Sequence, residues 1–168
     1  MQDEWGGIDK KIEKTVMALN KRGIRTTGSC EGHADHGSPS PWISISARPE
    51  IDTEGVLERE NRELQKSVQA LLDQFYKGRN VSEDKKIVIR NGKHSFWIHN
   101  GGKLFDAWRA HVEEIVEKNK RGEEITSSLP QLGIANYQAQ LEAYQKEFED
   151  FGDSILLTST HSDDEESD

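Results

Sequence analysis

The stretch KKIVIRNGKHSFWIHNGG, residues 85–102, decides the fold. It holds two apolar runs, predicted as strands over 86–90 and 95–99, on either side of Asn91-Gly92. Asn-Gly between alternating apolar runs is the strongest short-range hairpin signal and places the turn at Asn91-Gly92. A hairpin makes antiparallel pairing the starting assumption. In the second strand Phe96 and Ile98 fall on one face, and Trp97 and His99 on the other.

Working outward, WISISA (42–47) alternates strictly, with Ile43, Ile45 and Ala47 on one side, and IRTTGS (24–29) reads as a short strand. Four helices accompany these strands. Ile8, Ile12, Val16 and Leu19 recur at helical spacing and Gly23 supplies the stop. Residues 53–77 give the strongest periodic signal, with Leu57, Leu64, Val68, Leu71 and Phe75 in a seven-residue pattern interrupted by the polar Asn61. A third helix over 103–121 places Leu104, Trp108, Val112 and Ile115 on its apolar face. A fourth, over 134–151, repeats Tyr137, Leu141, Tyr144, Phe148 and Phe151. This order predicts a single α+β domain over residues 1–155, with a mainly antiparallel sheet covered by about four helices. Residues 156–168 are expected to form a disordered acidic tail.

The chain has 168 residues, 33% hydrophobic and 32% charged, with a formal charge of −9. The closing DDEESD carries five of those negative charges, and a terminal run of like charge is ordinarily solvated. The rest of the chain is mildly acidic, which argues against tight, non-specific binding to nucleic acid. Local basic stretches (NKRGIR, 20–25, and EDKKIVIRNGKH, 83–94) leave a small phosphate contact open. Cys30 is the one cysteine, so no internal disulfide forms, which suits a reducing compartment. The opening MQDEWGGIDKK lacks the order of a signal peptide, and no apolar run approaches a membrane span. A cytoplasmic protein is the expectation; its oligomeric state is not legible.

Two segments concentrate chemistry. TTGSCEGHADHGSPSPW, residues 26–42, places a thiol, two acids and two imidazoles in a glycine-framed loop. Cys30-x2-His33-x2-His36 offers three donors of a tetrahedral zinc site, with the fourth from His94, His99, Asp35 or water. Alternatively, Cys30 acts as a nucleophile with His33 or His99 as base. The second segment, HSFWIHNGGK (94–103), ends a strand at Asn100-Gly101-Gly102-Lys103 ahead of a helix, where backbone N–H groups and Lys103 suit a phosphate or carboxylate. The plainer alternative is a strand-to-helix turn in which Asn100 caps the helix and His99 is an ordinary sheet residue.

GIRTTGSCEGH resembles the G-x-x-T-x-x-S-C-x-G-H pattern of small uncharacterised bacterial and phage proteins. More distantly, Thr26-Thr27-Gly28-Ser29-Cys30-Glu31-Gly32, followed by Phe96-Trp97-Ile98-His99, is similar to the signature of the wybutosine-synthesis methyltransferase family, which modifies tRNA. Glu31 stands where that family has a small residue, and His33 where it has arginine. The resemblance implies that the two segments lie side by side on one sheet, with Ser29, Cys30 and His99 lining a pocket for S-adenosylmethionine or a nucleoside-like substrate.

The combined expectation is a pocket for a small nucleotide- or nucleoside-type ligand. Cys30, His33 and His99 are its reactive groups, and Ser29, Glu31, Gly32, Asn100, Gly101 and Lys103 its binding groups. Two alternatives stand beside it: a zinc-dependent enzyme using Cys30, His33 and His36, and a non-enzymatic interaction module. Whether the site is catalytic stays open.

Overall fold

The computed structural model describes residues 7–33, 38–47, 55–122 and 134–163, with backbone alone for Lys103, 134–136 and 159–163. The elements run α1 (Lys10–Lys21), β1 (Thr26–Cys30), β2 (Trp42–Ile45), α2 (Val56–Tyr76), β3 (Ile87–Asn91), β4 (Phe96–Asn100), α3 (Lys103–Lys120) and α4 (Ile134–Asp163). The strands form one antiparallel sheet in the order β1-β2-β4-β3. The fold is therefore α+β with four helices around an antiparallel sheet. Among the described residues, no helix is long and apolar enough to cross a membrane.

Strand pleating sorts the side chains. Ile43, Ile45, Phe96, Ile98 and Ile87 point to one face, and each is almost fully buried. They meet Ile12, Val16 and Leu19 of α1, Val68, Leu72 and Phe75 of α2, and Phe148, Phe151 and Ile155 of α4. Each such side chain stabilises the fold by about 1.5–3 kcal/mol. The opposite face carries Trp97 and His99 and receives α3. The His99 ring stacks on Phe105 with centroids 4.0 Å apart, and the Arg109 guanidinium lies 4.9 Å over Trp97.

Helices α1 and α4 approach closely because one contact position is a glycine. A Cβ on Gly152 would lie 2.8 Å from Thr15 Oγ1 and 3.0 Å from Thr15 Cα. The Thr15 hydroxyl donates to the Phe148 carbonyl at 2.6 Å, so its polar group is satisfied inside the interface. Helix α1 ends as expected at Gly23, whose φ of 77° lets Ile24 N–H return to the Leu19 carbonyl at 3.0 Å.

Several expectations need correction. The turn lies one residue further on than Asn91-Gly92: Asn91 still pairs with Phe96 in the ladder, and Gly92 N–H bonds the Ser95 carbonyl across residues 92–95. Gly92 does not take positive φ; its missing side chain makes room for the Trp97 ring. Ile8 lies outside α1 and is exposed, and the buried α1 stripe includes Thr15 instead. On α2, Leu57, Val68 and Phe75 are buried as the seven-residue pattern expects, while Leu72 is buried in place of the half-buried Leu71. On α3 the buried residue is Phe105, while Leu104, Trp108, Val112 and Ile115 are half-buried. Helix α4 runs to Asp163, so residues 156–163 are helical, with Arg22 bonded to Thr158 Oγ1 at 2.6 Å. The expected start of α2 at residue 53 and the closing residues 164–168 lie outside the described residues.

Candidate functional site

Matched lengths assemble the site. Helix α1, with 12 residues, rises about 18 Å. Strand β1, with five residues, runs back about 17 Å. The end of β1 therefore returns beside the start of α1, and Asp9 at the helix start meets Cys30 at the strand end. One oxygen of Asp9, the Cys30 sulfur and one ring nitrogen of His33 lie within 4.8 Å of one another. His33 Nε2 is 3.8 Å from Asp9 Oδ2.

The loop that holds these groups is tied through three polar atoms of Glu31. Its N–H donates to Asp9 Oδ2 at 3.0 Å, its carboxylate accepts from Lys11 N–H at 3.1 Å, and its carbonyl accepts from Gln145 Nε2 at 2.9 Å. Glu31 thus caps the first turn of α1, where a negative charge also meets the positive end of the helix dipole. Gly32 follows with φ 83°, and a Cβ there would lie 2.7 Å from Leu141 Cδ1 and 3.0 Å from Pro41 N. His33 N–H then bonds the Ser38 carbonyl at 2.8 Å and draws the far end of the loop back.

Cys30 is half-buried, and its sulfur accepts from Gly32 N–H at 3.4 Å. Burial pushes the thiol pKa up; the Gly32 N–H opposes this and the Asp9 charge adds to it. Without a metal the group is therefore a protonated thiol rather than an activated nucleophile.

The expected catalytic trio is only partly brought together. Cys30 pairs with Trp42, which pairs with His99, so the three share one row and one face of the sheet. Two strand spacings put Cys30 and His99 about 10 Å apart, with Trp42 between them. They form no reactive pair. Burial lowers the His99 pKa, partly opposed by the Asn100 carbonyl, while the Arg90 charge lowers it further. The neutral ring places Nδ1 2.7 Å from the Asn100 carbonyl, so Nδ1–H donates there and Nε2 is left as an acceptor.

Ser29 sits opposite Ile43, on the core face away from Cys30, so it does not line a shared pocket. The carboxylate of Glu31 faces α1 rather than a ligand. Asn100 is buried and donates to the Lys85 carbonyl at 2.7 Å, and α3 has no side-chain cap. The capping role is thereby corrected. Gly101 N–H is committed to the Lys86 carbonyl at 2.8 Å, so it is not free for an anion. Of Lys103 the backbone alone is described, and His36 lies outside the described residues. Asp9 is the residue that sequence reasoning missed: it lies 21 positions before Cys30, and only the return of β1 along α1 joins them.

No family model, curated protein or solved structure matches this chain.

Proposed function

We propose that the protein binds one transition-metal ion of the zinc class through Asp9, Cys30 and His33. The observation that carries this reading is the clustering of an oxygen, a sulfur and a nitrogen donor within 4.8 Å. In a tetrahedral zinc site, bond lengths of 2.0–2.3 Å place neighbouring donors about 3.5 Å apart. Rotations that move each donor by about an ångström close the difference. The donor set suits zinc better than magnesium or calcium, which prefer oxygen alone. Binding replaces the thiol proton, so the burial that suppresses a free thiolate no longer opposes the site once a cation is present.

Three protein donors leave one tetrahedral position for water, for substrate or for His36. With water there, the ion lowers the water's pKa and supplies a nucleophile at neutral pH, the arrangement of hydrolytic zinc sites. The test is a zinc titration of metal-free, untagged protein against a chromophoric chelator. One equivalent is expected, with affinity at least about 100-fold lower in Asp9→Ala, Cys30→Ala and His33→Ala, given that even outer partners are worth 10–100-fold. In His36→Ala, unchanged affinity assigns the fourth position to water, and a comparable loss assigns it to His36. Zinc affinity undiminished in Cys30→Ala removes the proposal.

A second reading is favoured by one observation beside the first. The buried Trp42 Nε1 has no partner among the described residues, and it belongs to the residue standing between Cys30 and His99. A buried donor without an acceptor carries a desolvation cost of about 1–3 kcal/mol. A nucleotide- or nucleoside-type ligand supplies an acceptor, and this is the ligand class that the tRNA-modification resemblance implies. The test is the thermal stabilisation produced by nucleosides, nucleotides and S-adenosylmethionine with and without zinc. Stabilisation is expected in the wild type and not in Trp42→Phe. Equal stabilisation in both removes this reading.

A further inference from the structure

We infer that the free edge of β3 is a docking groove for an extended acidic peptide segment of a partner protein. The sheet has two edges, β1 and β3. The β1 edge is broken by a register irregularity between Thr26 and Gly28, a device that discourages strand addition. The β3 register is unbroken, and the strand contains no proline.

Hydrogen bonds fix which backbone groups face outward. The Lys86 carbonyl accepts from Gly101 N–H, so position 86 faces β4. Ile87 N–H donates to the Tyr76 hydroxyl of α2 at 2.7 Å, so position 87 faces out. Strand alternation then turns the N–H and C=O of Ile89 and Asn91 outward as well. Among the described residues these groups have no partner. Tyr76 closes the groove at the Ile87 end and leaves the Ile89–Asn91 end open.

Two adjoining clefts lie along this edge, both bounded by Gln69 of α2. One, of about 570 Å³, separates α2 from the β3–β4 loop; the other, of about 450 Å³, follows Ile87–Ile89. Their cationic lining comprises Arg62, Lys66, Lys77, Lys86 and Lys93, against the carboxylates Glu58 and Asp73. Arg62 pairs with Glu58 at 2.9 Å and Lys66 with Glu63 at 3.0 Å, whereas Lys77, Lys86 and Lys93 make no ion pair among the described residues. A net positive groove on a chain of charge −9 is a local reversal, and it fits an acidic segment. Added as a fifth strand, such a segment bonds Ile89 and Asn91 through its main chain while a carboxylate meets Lys93.

The test is fluorescence polarisation of full-length protein with a labelled eight-residue peptide of alternating valine and glutamate. Saturable binding is expected, at least tenfold weaker when alternate peptide nitrogens on the bonding edge are methylated. It is also expected to weaken at least tenfold in Lys93→Glu, an exposed loop position. The methylated peptide tests the claim on unaltered protein. Equal affinity for the methylated peptide, equal affinity for a valine–lysine peptide, or no binding overturns the proposal. A concentration-dependent dimer abolished by Lys93→Glu assigns the edge to a second copy of the chain and overturns it too.

Discussion

Replacing Gly32 by alanine separates backbone strain from close packing at the loop that carries Cys30 and His33. Gly32 has φ 83°, and an added Cβ would lie 2.7 Å from Leu141 Cδ1, 3.0 Å from Pro41 N and 3.0 Å from Ser40 C. The leucine methyl can rotate away; the two backbone atoms cannot move without displacing the segment that leads into β2. The left-handed conformation alone costs an alanine about 1–2 kcal/mol. Overpacking adds about 1–3 kcal/mol, and lost freedom of the unfolded chain returns about 0.4–1 kcal/mol. The net expectation is a loss of about 2–4 kcal/mol. Gly78 provides the internal reference, with φ 78° and no atom within 4 Å of its would-be Cβ. Gly78→Ala therefore reports strain alone, about 1 kcal/mol after the same correction. Urea denaturation of metal-free protein, extrapolated linearly, measures both. If Gly32→Ala costs no more than Gly78→Ala, the packing of this loop against Pro41 and Leu141 is not as described, and the positioning of His33 loses its basis.

Further expectations concern the core, the ion pair and His99. Gly152→Ala gains about 1 kcal/mol of helix propensity yet must push α1 and α4 apart at Thr15, for a net loss of about 1–2 kcal/mol in urea denaturation. Arg79→Met strips the fully buried Glu147 carboxylate of bonds at 3.0 and 3.1 Å, leaving Lys85 at 3.7 Å. Breaking a buried pair in this way costs about 3–5 kcal/mol; the remaining lysine places the expected loss at the low end, and Arg79→Met/Glu147→Gln recovers part of it. His99 titrates below its ordinary range when folded, with Arg90 facing it from β3 and Phe105 stacked on it from α3. The unfolded chain therefore takes up its proton first, near pH 6.5, and stability falls as pH is lowered from 7 through that value. The same pH series on His99→Phe lacks that contribution; identical slopes in the two proteins contradict the burial of a neutral imidazole.

The sheet was legible because strand alternation is a strong signal: Ile43 and Ile45 of β2, and Phe96 and Ile98 of β4, all fall on the core face as their period demands. Helix phase was less legible where apolar residues crowd. Leu71 and Leu72 are adjacent, as are Leu104 and Phe105, so either member satisfies the period and only the tertiary partner decides. Asn91-Gly92 misled because glycine has two uses, and here the neighbouring Trp97 ring requires it rather than a left-handed turn. Asn61 looked like a break in the α2 stripe. Its Oδ1 accepts from Ala47 N–H at 2.7 Å and its Nδ2 donates to the His94 carbonyl at 3.0 Å, so it joins the end of β2 to the β3–β4 loop. The loop chemistry around Cys30 was visible as composition. Its geometry was not, since Asp9 enters through chain return and Glu31 leaves the site to cap α1.

The most direct test of the account is X-ray absorption at the zinc edge on protein loaded with one equivalent of zinc. A single sulfur neighbour is predicted at about 2.3 Å and lighter neighbours at about 2.0–2.1 Å, one of them with the outer-shell pattern of an imidazole. In Cys30→Ala the sulfur shell disappears. A first shell of oxygen and nitrogen alone in the wild type, or protein that retains no zinc after desalting, contradicts a metal centre built from Asp9, Cys30 and His33.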